Sequence, residues 1–519
     1  GPPVAGELPA SGEVVVVGGG LEGCAAAWAL TEAGVTDVLV LERATVGSGM
    51  TGKSSGIVRC HYGVTSLAAM ALVGTEVLEQ AEDLLGSDVG FRQIGYVVGV
   101  GHENVAALRA NLAAQRGIGV ETHEVSGDDV AALWPHARLD DMAAFAHEPR
   151  GGYGDAYLTA QAFAATARRA GARVAQGAPV ASLEMDAQGV SGVRLVDGRR
   201  VATRRVVLAA GPWSVALAAG VGVDLPIRVH REEIVLLKPG VDTAGLPVFS
   251  DLVSLQYVRP DVGGEILFGN SDLATLKPAD PDDYLNRADE AFVEMTVEKV
   301  GHRFPGLDDA VLASSYAGCY DVTPDYNPVI SLVEAVPGLV VAAGFSGHGF
   351  KISPAVGRLV ADLVVHGSAR DDRIPDSDFR LARFAEGEPL RSPHPYVGAG
   401  EMRGAPPGSC AGSPRVRPWL LKVDDPRIRA PCPMWTRGWS ATGRGRRGTA
   451  RRPSPWRSWS SSRRSLATRG PGGSGRGSRS ATWRRGSASP RRCCRRSRTP
   501  RPRAASRPWR ASPRASMSR

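Results

Sequence analysis

The N-terminal part of the chain alternates short apolar runs with a segment of small residues. Residues 14–17 are four valines, a run typical of a strand buried on both faces. The alanine-rich residues 24–33 suit a helix packed closely on a sheet, and Gly34 ends it. A second apolar run covers residues 38–41. The pattern predicts a strand, a helix and a second strand of one α/β unit.

Polar and glycine positions give this unit a chemical meaning. Gly18, Gly20 and Gly23 follow the first strand at the G-x-G-x-x-G spacing, and Glu42 ends the second strand. Glycines let backbone amides approach a pyrophosphate at a helix N-terminus, and the acid accepts hydrogen bonds from ribose hydroxyls. The unit predicts a bound dinucleotide. The alternative is a glycine-rich packing turn without a ligand.

The rest of the body mixes helical and strand periods. Residues 65–85 carry apolar side chains on one helical face and end at Gly86. Residues 180–208 predict a small antiparallel meander with Asp197 and Gly198 in a hairpin turn. Other helices are predicted over residues 103–115, 158–170 and 288–300, and other strands over residues 91–100 (as a pair), 227–237 and 255–268.

A last apolar run, residues 338–344, precedes a glycine-rich loop and a final helix. Ser353 is placed to cap this helix and Pro354 to occupy its first position, while Gly367 ends it. The positive end of such a helix points at the preceding loop. Glycines there let the backbone approach a ligand closely.

Length and composition indicate a globular chain with a large core, since hydrophobic residues make up 43% and charged residues 22% of 519 positions. No apolar run approaches the roughly 18 residues of a membrane span, and no secretion signal is visible. Cys24, Cys60 and Cys319 are scattered through the body and form neither a disulfide framework nor a metal cluster. We therefore expect a cytoplasmic protein without a metal site.

The C-terminal segment, residues 404–519, differs from the body. It holds 29 arginines against two acids, so the overall charge of +9 conceals an acidic body. Arginine, serine, proline, glycine and alanine dominate it, which predicts a disordered tail. One interpretation is an arm for nucleic acid or another acidic surface. The other, which we favour, is a misread frame of a GC-rich gene, because no RNA-binding repeat is visible.

Four further motifs carry a family resemblance: GSGMTGKSSG with IVRCHYG, VVLAAGPWS, TPDYNPVI and AAGFSGHGFK. In this order they resemble the FAD-dependent amine oxidoreductases of the D-amino-acid oxidase superfamily, over about residues 12–370. Within it the chain is most similar to monomeric sarcosine oxidase, the β subunit of heterotetrameric sarcosine oxidase and dimethylglycine oxidase. The resemblance implies FAD as the cofactor, and the positive end of the final helix would stabilise an anion at N1 of the reduced flavin.

The resemblance also implies which residues bind the cofactor. These are Gly18, Gly20, Gly23, Glu42, Arg43, Ser54, Ser55, Gly56, Val180, Gly211, Gly344, Gly347, Gly349, Phe350 and Lys351.

Arg59 and Lys351 match the family positions that hold the substrate carboxylate, a sensible pairing of a guanidinium fork with a point cation. His348 is implied to lie near the flavin and Tyr257 to line the substrate pocket, with His61 and Tyr62 as weaker candidates. The structural alternatives are an ion pair for Arg59, a solvated helix-end lysine for Lys351 and a packed loop histidine for His348.

Three positions depart from the family pattern. Lys53 stands where some relatives attach FAD to a histidine, and Gly318 stands where others use a cysteine, with Cys319 one position away. We therefore expect non-covalent FAD. The lysine that activates oxygen in monomeric sarcosine oxidase falls near Phe268 when the chains are aligned from Tyr257 and Pro260, which argues against oxidase activity and leaves open a dehydrogenase that passes electrons to another acceptor.

Together these observations predict an α/β (α+β) enzyme with a Rossmann-like FAD domain of discontinuous segments and a mixed-sheet substrate domain. Its reaction is oxidation of a C–N bond in a small secondary or tertiary amino acid, by hydride transfer to the flavin and hydrolysis of the imine. Oxygen or another acceptor takes the electrons. Whether the chain has partner subunits is left open by the sequence. The alternative is a non-catalytic or RNA-binding flavoprotein that uses the basic tail. The predicted segments are residues 12–90, 150–220 and 319–370 for FAD, 91–149 and 221–318 for substrate, and 371–403 as an extension.

Overall fold

A computed structural model describes residues 8–398, so the predicted disordered tail, residues 404–519, lies outside the described residues. The α-helices are α1 (Leu21–Glu32), α2 (Thr65–Glu79), α3 (Ala81–Leu85), α4 (Val105–Gly117), α5 (Gly127–Leu133), α6 (Ala156–Arg169), α7 (Ser214–Ala219), α8 (Glu290–Arg303), α9 (Gly349–His366) and α10 (Asp376–Phe379). Short 3₁₀ turns cover Met50–Lys53, His102–Asn104, Gly211–Trp213, Leu273–Thr275, Pro305–Leu307 and Leu381–Arg383.

The strands are β1 (Val14–Val17), β2 (Val38–Leu41), β3 (Ile57–Val58), β4 (Tyr96–Val100), β5 (His123–Val125), β6 (Ala144–Glu148), β7 (Gly152–Tyr153), β8 (Arg173–Ala175), β9 (Val180–Asp186), β10 (Gly189–Leu195), β11 (Arg200–Ala202), β12 (Val206–Leu208), β13 (Arg228–Lys238), β14 (Val248–Asp251), β15 (Gln256–Pro260), β16 (Ile266–Asn270), β17 (Lys277–Pro278), β18 (Val311–Val322), β19 (Val329–Leu332) and β20 (Leu339–Ala343).

The first sheet has the order β19-β20-β12-β1-β2-β8, and all its pairings are parallel except that of β19 with β20. Both faces of its central strand are buried. Val14 and Val16 pack against the helices, while Val15 and Val17 pack against the antiparallel meander β9–β11. This two-sided burial explains the uninterrupted valines of β1, because a strand with one wet face would alternate polar and apolar residues.

Small residues let the helices on this sheet approach one another closely. A Cβ added at Gly357 of α9 would lie 2.4 Å from the Ala25 carbonyl oxygen of α1. A Cβ at Gly74 of α2 would lie 1.7 Å from the carbonyl oxygen of Lys351. Helix α9 is therefore packed backbone against backbone on two neighbours, which fixes where its first turn lies.

The second sheet has the order β17-β13-β16-β15-β14-β4-β6-β5, with β18 paired to β13. One face carries an aromatic core that includes Trp134, Phe249 and Phe304, and helix α8 covers it. The opposite face carries a second cluster that includes Tyr96 and Tyr257. This second face bears on the functional site described below.

The structure confirms the mixed α/β class and most predicted elements. The first strand, helix and second strand occur as predicted, Gly367 ends the last helix at a φ of 77°, and Gly198 forms the hairpin turn at a φ of 89°. Two predictions were wrong in detail. Residues 65–85 form two helices that meet at Gln80, and residues 91–100 contain one strand, β4, instead of a pair.

The predicted start of the final helix was also wrong. Helix α9 begins at Gly349, with His348 in the capping position, so Ser353 and Pro354 lie inside it. Pro354 has no amide hydrogen to donate to the Phe350 carbonyl. The Ser353 hydroxyl donates to that carbonyl instead, at 2.9 Å, so the helix continues through the proline. The first turn consequently lies directly beside the glycine-rich loop.

The predicted domain boundaries stay a prediction, although strand β18 spans residue 318, where one of them falls. The described part of the extension packs on the body, since its Arg383 is buried. None of the helices in residues 8–398 is long and apolar enough to cross a membrane.

Candidate active site

The glycines after β1 form a cradle in which side chains would clash. Gly18 has a φ of 109°, and a Cβ there would lie 2.3 Å from the Ala209 carbonyl oxygen. A Cβ at Gly23 would lie 1.9 Å from the Gly18 carbonyl oxygen, so this glycine brings α1 onto the loop. Gly20 occupies the capping position of α1 and makes no side-chain cap. The Leu21 amide donates to the Thr51 Oγ1 at 3.0 Å, so the positive end of the helix faces the cradle with the remaining amides of its first turn.

Glu42 closes the cradle at the end of β2. Its Oε2 accepts a hydrogen bond from the Gly19 amide at 2.8 Å, and its Oε1 accepts one from the Ala44 amide at 2.7 Å. These two bonds fix the carboxylate beside the glycine loop. This is the placement that suits a contact with ribose hydroxyls.

A cavity of about 800 Å³ runs from this cradle to the second sheet. Its volume lies within the roughly 300–1,000 Å³ of sites for small molecules and cofactors. The predicted cofactor residues that line it are Gly18, Gly20, Glu42, Arg43, Ser54, Ser55, Val180, Gly211, Gly347, Gly349 and Phe350.

Four predicted cofactor residues do not line the cavity: Lys351 and three glycines that lie behind the lining. Gly23 packs on Gly18 as described above. A Cβ at Gly56 would lie 2.1 Å from the Gly154 carbonyl oxygen, and one at Gly344 would lie 2.4 Å from the Thr323 side chain. Their tight packing shapes the walls that other residues present to a ligand.

The residues present fit an extended dinucleotide. The N-termini of both α1 and α9 adjoin the cavity; His348 makes no side-chain cap on α9, whereas the Thr51 hydroxyl accepts the first amide of α1. Two helix N-termini offer their remaining backbone donors and partial positive charge to a ligand that carries phosphates. The glycine cradle leaves room for the backbone of the protein to touch it.

Two buried carboxyl groups that the sequence analysis missed also line the cavity. Burial, and then the neighbouring Asp321, raise the pKa of Glu22 well above its ordinary value. Its Oε2 has no partner among the described residues. Burial raises the pKa of Asp321 to about 6, although its carboxylate accepts the Gly344 amide at 2.7 Å. An acid within the apolar, alanine-rich α1 was the available signal for Glu22.

Arg59, Lys351 and His348 gather around the ring of Tyr62. The guanidinium carbon of Arg59 lies 4.4 Å from the ring centroid and the Lys351 Nζ lies 5.7 Å from it. The Tyr62 hydroxyl lies 3.1 Å from the His348 Nδ1. Arg59 is 7% exposed and Lys351 6% exposed. The structure thus brings three predicted residues together and gives Tyr62, a weaker candidate, the central position. None of these four residues lines the cavity described above; they lie beside it, next to Gly349 and Phe350 of its wall.

Hydrogen bonds to backbone groups hold the loop that carries Arg59 and Tyr62, residues 59–62. The Cys60 amide donates to Glu148 Oε2 at 2.8 Å, and Gln115 donates to the Tyr62 carbonyl at 2.9 Å. The Arg59 guanidinium donates to the His61 carbonyl at 2.5 Å. Burial raises the pKa of Glu148 to about 7 and lowers the pKa of His61 to about 3.

Tyr257 lines the cavity at the second sheet, and its role in the substrate pocket stays a prediction. The prediction for Phe268 was wrong. Its side chain lies on the opposite face of the sheet, in the aromatic core, 6.2 Å from the Phe304 centroid. It does not line the cavity, so the choice between an oxidase and a dehydrogenase does not depend on it.

The positions implied in covalent attachment also face this space. Lys53, Gly318 and Cys319 line the cavity. The Lys53 Nζ donates to Asn286 at 2.9 Å. Burial raises the pKa of the Cys319 thiol to about 11, so little nucleophilic thiolate forms at neutral pH.

Comparison with known proteins defines the class. A family model described as DAO, FAD dependent oxidoreductase, matches residues 13–363. The chain belongs to this family, and FAD is its cofactor.

Individual relatives of known function share less than a third of their residues with the chain. The chain is 28% identical to 4-methylaminobutanoate oxidase (formaldehyde-forming) of Paenarthrobacter nicotinovorans over 371 residues, which are 70% of this chain and 44% of that protein. It is 27% identical to glycine oxidase of Geobacillus kaustophilus, covering 70% of this chain and 96% of that protein. The solved L-proline dehydrogenase from P. horikoshii superposes with a TM-score of 0.68 at 26% identity, covering 74% of this chain and all of that one. The chain thus spans less than half the length of the first of these relatives.

Proposed function

We propose that the chain oxidises the C–N bond of a small secondary or tertiary amino acid whose carboxylate is held by Arg59 and Lys351. The main support for this proposal is that these two buried cations, far apart in sequence, both lie against the ring of Tyr62. A ligand with a negative charge and an apolar body is the chemistry that such a cluster favours. The names of relatives support this class: glycine, proline and 4-methylaminobutanoate each carry an amine and a carboxylate.

The residues of the chain bind and orient the substrate. Arg59 presents a planar fork that matches a carboxylate, and Lys351 adds a point charge from the first turn of α9. The Tyr62 ring contacts both cations, and its hydroxyl forms a hydrogen bond with His348. The bound FAD supplies the acceptor for a hydride from the carbon next to nitrogen. A secondary amine loses that hydride and its N–H proton to become an imine, whereas a tertiary amine loses the hydride alone to become an iminium ion. Water hydrolyses either product to a carbonyl compound and an amine.

FAD is held without a covalent bond in this proposal. Lys53 and Gly318 replace the attachment residues of relatives, and the Cys319 thiol is held protonated. Acid precipitation of the purified protein should release all the yellow colour into the supernatant. Colour that stays in the pellet would contradict this part, and peptide mapping would then test Cys319 first.

The carboxylate clamp is tested by Arg59→Met and Lys351→Met. Each change removes a charge-assisted contact worth roughly 1.5–3 kcal/mol, so affinity for acetate or propionate should fall about tenfold to a hundredfold. Binding is measured from the visible flavin spectrum of the oxidised holoenzyme. Because both residues share one ligand, the losses in the double variant should not add. Turnover of N-methyl amino acids should fall in parallel.

The matched control is Arg109→Met, which removes an exposed arginine that pairs with Glu124 on the surface. It should leave carboxylate affinity unchanged, and all variants should keep normal FAD content. Wild-type protein that oxidised amines without a carboxylate as readily as N-methyl amino acids would overturn the clamp and the substrate class together.

A further inference from the structure

A strap formed by residues 383–397 crosses from the first sheet to the wall behind Arg59. It starts at Arg383, whose guanidinium donates to both oxygens of Asp325, at 2.8 and 3.0 Å. Asp325 also accepts the Leu390 amide at 2.8 Å. Both partners of this ion pair are almost fully buried. The aspartate of the TPDYNP motif therefore anchors the near end of the strap.

The far end of the strap is fixed on helix α4 and the residue before it. Asn111 donates to the His394 carbonyl at 2.9 Å. Asn104 exchanges two hydrogen bonds with Val397, accepting from its amide at 2.7 Å and donating to its carbonyl at 3.0 Å. The strap has almost no regular secondary structure, and these asparagine side chains fix it by bonding its backbone. The anchors at His394 and Val397 therefore set the position of Tyr396, which lies between them.

The ring of Tyr396 is buried in the cluster that also contains Tyr96 and Tyr257. Its hydroxyl lies 2.9 Å from the His61 Nε2, and the two rings stack with centroids 6.0 Å apart. His61 is fully buried, and burial and Arg59 keep it neutral by lowering its pKa. The contact is thus a hydrogen bond between neutral groups in a dry environment.

We propose that Tyr396 is a positioning residue that holds Arg59 in its carboxylate-binding orientation through His61. The Arg59 guanidinium donates to the His61 carbonyl and lies 5.9 Å from the Tyr96 centroid. The His61 ring lies 6.3 Å from Tyr96. Fixing the His61 ring therefore fixes both the acceptor and one aromatic neighbour of Arg59. This inference rests on the proposed function of Arg59.

Neither the strap nor Tyr396 belongs to the part of the chain that the family model matches, which ends at residue 363. The charged group that acts on His61 is Arg59 of its own loop, which lowers the His61 pKa after burial does. The tyrosine adds no charge to this environment. Its contribution is orientation.

The experiment uses the full-length holoenzyme with Tyr396→Phe, which keeps the ring and removes the hydroxyl. Loss of one neutral hydrogen bond should weaken acetate and propionate binding about two- to tenfold, measured from the flavin spectrum. For an N-methyl amino acid substrate, KM should rise while kcat changes little. FAD content and the affinity for an amine without a carboxylate should stay unchanged. The control is Tyr316→Phe, which removes a hydroxyl from a neighbouring strand and should leave acetate binding unchanged.

A double-mutant cycle separates orientation from general packing. In an Arg59→Met background, Tyr396→Phe should cause no further loss of carboxylate affinity, because the group that it positions is gone. An equal loss in both backgrounds would overturn the inference, as would full carboxylate affinity in Tyr396→Phe alone. If Arg59→Met itself left carboxylate binding intact, the proposed function would fail instead, so the two failures are distinguishable.

Discussion

The cofactor cradle and the cation cluster around Tyr62 are built on different principles. The cradle is backbone: Gly18 and Gly23 bring main-chain atoms into contact, and Glu42 is itself bonded to two backbone amides. The cation cluster is made of long side chains that converge from a loop and from helix α9. Steric exclusion fixes the cradle, because added atoms would clash with the backbone. Contacts with neighbouring groups fix the side chains of the cation cluster.

This difference predicts how each region responds to change. A backbone cradle tolerates almost no added atoms but is insensitive to pH and to neighbouring side chains. A side-chain cluster tolerates substitutions nearby and depends on the hydrogen bonds and charges behind it. Changes of decreasing severity test this contrast.

The most severe change is Gly23→Ala in the cradle. Its Cβ would lie 1.9 Å from a backbone oxygen, so the loop or α1 must move. Overpacking of this kind costs about 3 kcal/mol, which corresponds to a loss of FAD affinity of about a hundredfold. FAD content after gel filtration measures it. Gly301→Ala in α8, where a Cβ meets nothing within 4 Å, should bind FAD normally. Normal FAD content in Gly23→Ala would show that the cradle is not rigid.

Behind the cation cluster, Glu148→Gln should change how stability depends on pH. Burial raises the pKa of Glu148 from 4.5 to about 7, so the folded state binds its proton more tightly than the unfolded state. The resulting stability is complete below about pH 4.5 and is lost as pH rises through 7, a decline of about 3 kcal/mol.

In Glu148→Gln that share of the decline should disappear from urea unfolding curves measured between pH 5 and 8. Asp321, whose pKa is also raised, keeps its own share. The surface variant Glu124→Gln should retain the wild-type decline. A wild-type decline in Glu148→Gln would mean that this carboxyl does not titrate in that range.

One side chain of the cradle should be an exception to its pH insensitivity. Burial, and then Asp321, raise the pKa of Glu22, so its carboxyl group stays neutral until the pH rises through this raised pKa. Once ionised beside an anionic pyrophosphate, it should weaken FAD binding as pH rises, by about tenfold. Flavin fluorescence quenching, followed as pH is raised, should show this fall in wild type and not in Glu22→Gln. Glu32→Gln, an exposed position of the same helix, should behave as wild type.

The smallest effect is expected at the exposed end of the cavity. Asp282 pairs with Arg43 at 2.9 Å and accepts the Trp213 indole hydrogen at 2.9 Å. Exposed ion pairs contribute about 0–1 kcal/mol, so Asp282→Ala should speed FAD dissociation only about two- to fivefold. Screening by about 1 M salt should remove the difference. Asp283→Ala is the matched control. A larger effect that persists in salt would indicate a structural role for Asp282.

Sequence patterns revealed the cradle because its parts are adjacent in the chain. Residues 14–42 contain both strands, the glycines, the helix and the acid, and each local preference agrees with the fold. The final helix was misjudged at its start because the Ser353 hydroxyl bonds the carbonyl that Pro354 leaves unpaired. That compensation is a property of the folded backbone, which capping preferences do not describe.

Features that depend on distant segments were harder to predict. An alignment shift of a single residue in a strand moves a side chain to the other face, which is why Phe268 belongs to the aromatic core while its neighbour Leu267 shares the cluster of Tyr257. Tyr396 reaches His61 only because the strap is anchored at both ends. No local pattern around residue 396 indicates that contact.

The close approach at Gly74 has a consequence for redesign of the substrate pocket. Because α2 touches the carbonyl of Lys351 directly, a larger residue at position 74 would displace the first turn of α9 as a unit. Laboratory evolution that seeks bulkier substrates should therefore gain little from libraries confined to residues that face the pocket. Paired libraries in α2 and α9 would let the Lys351 side chain move back while Gly349 and Phe350 keep their places in the cavity wall. Position 74 is where such a search should begin.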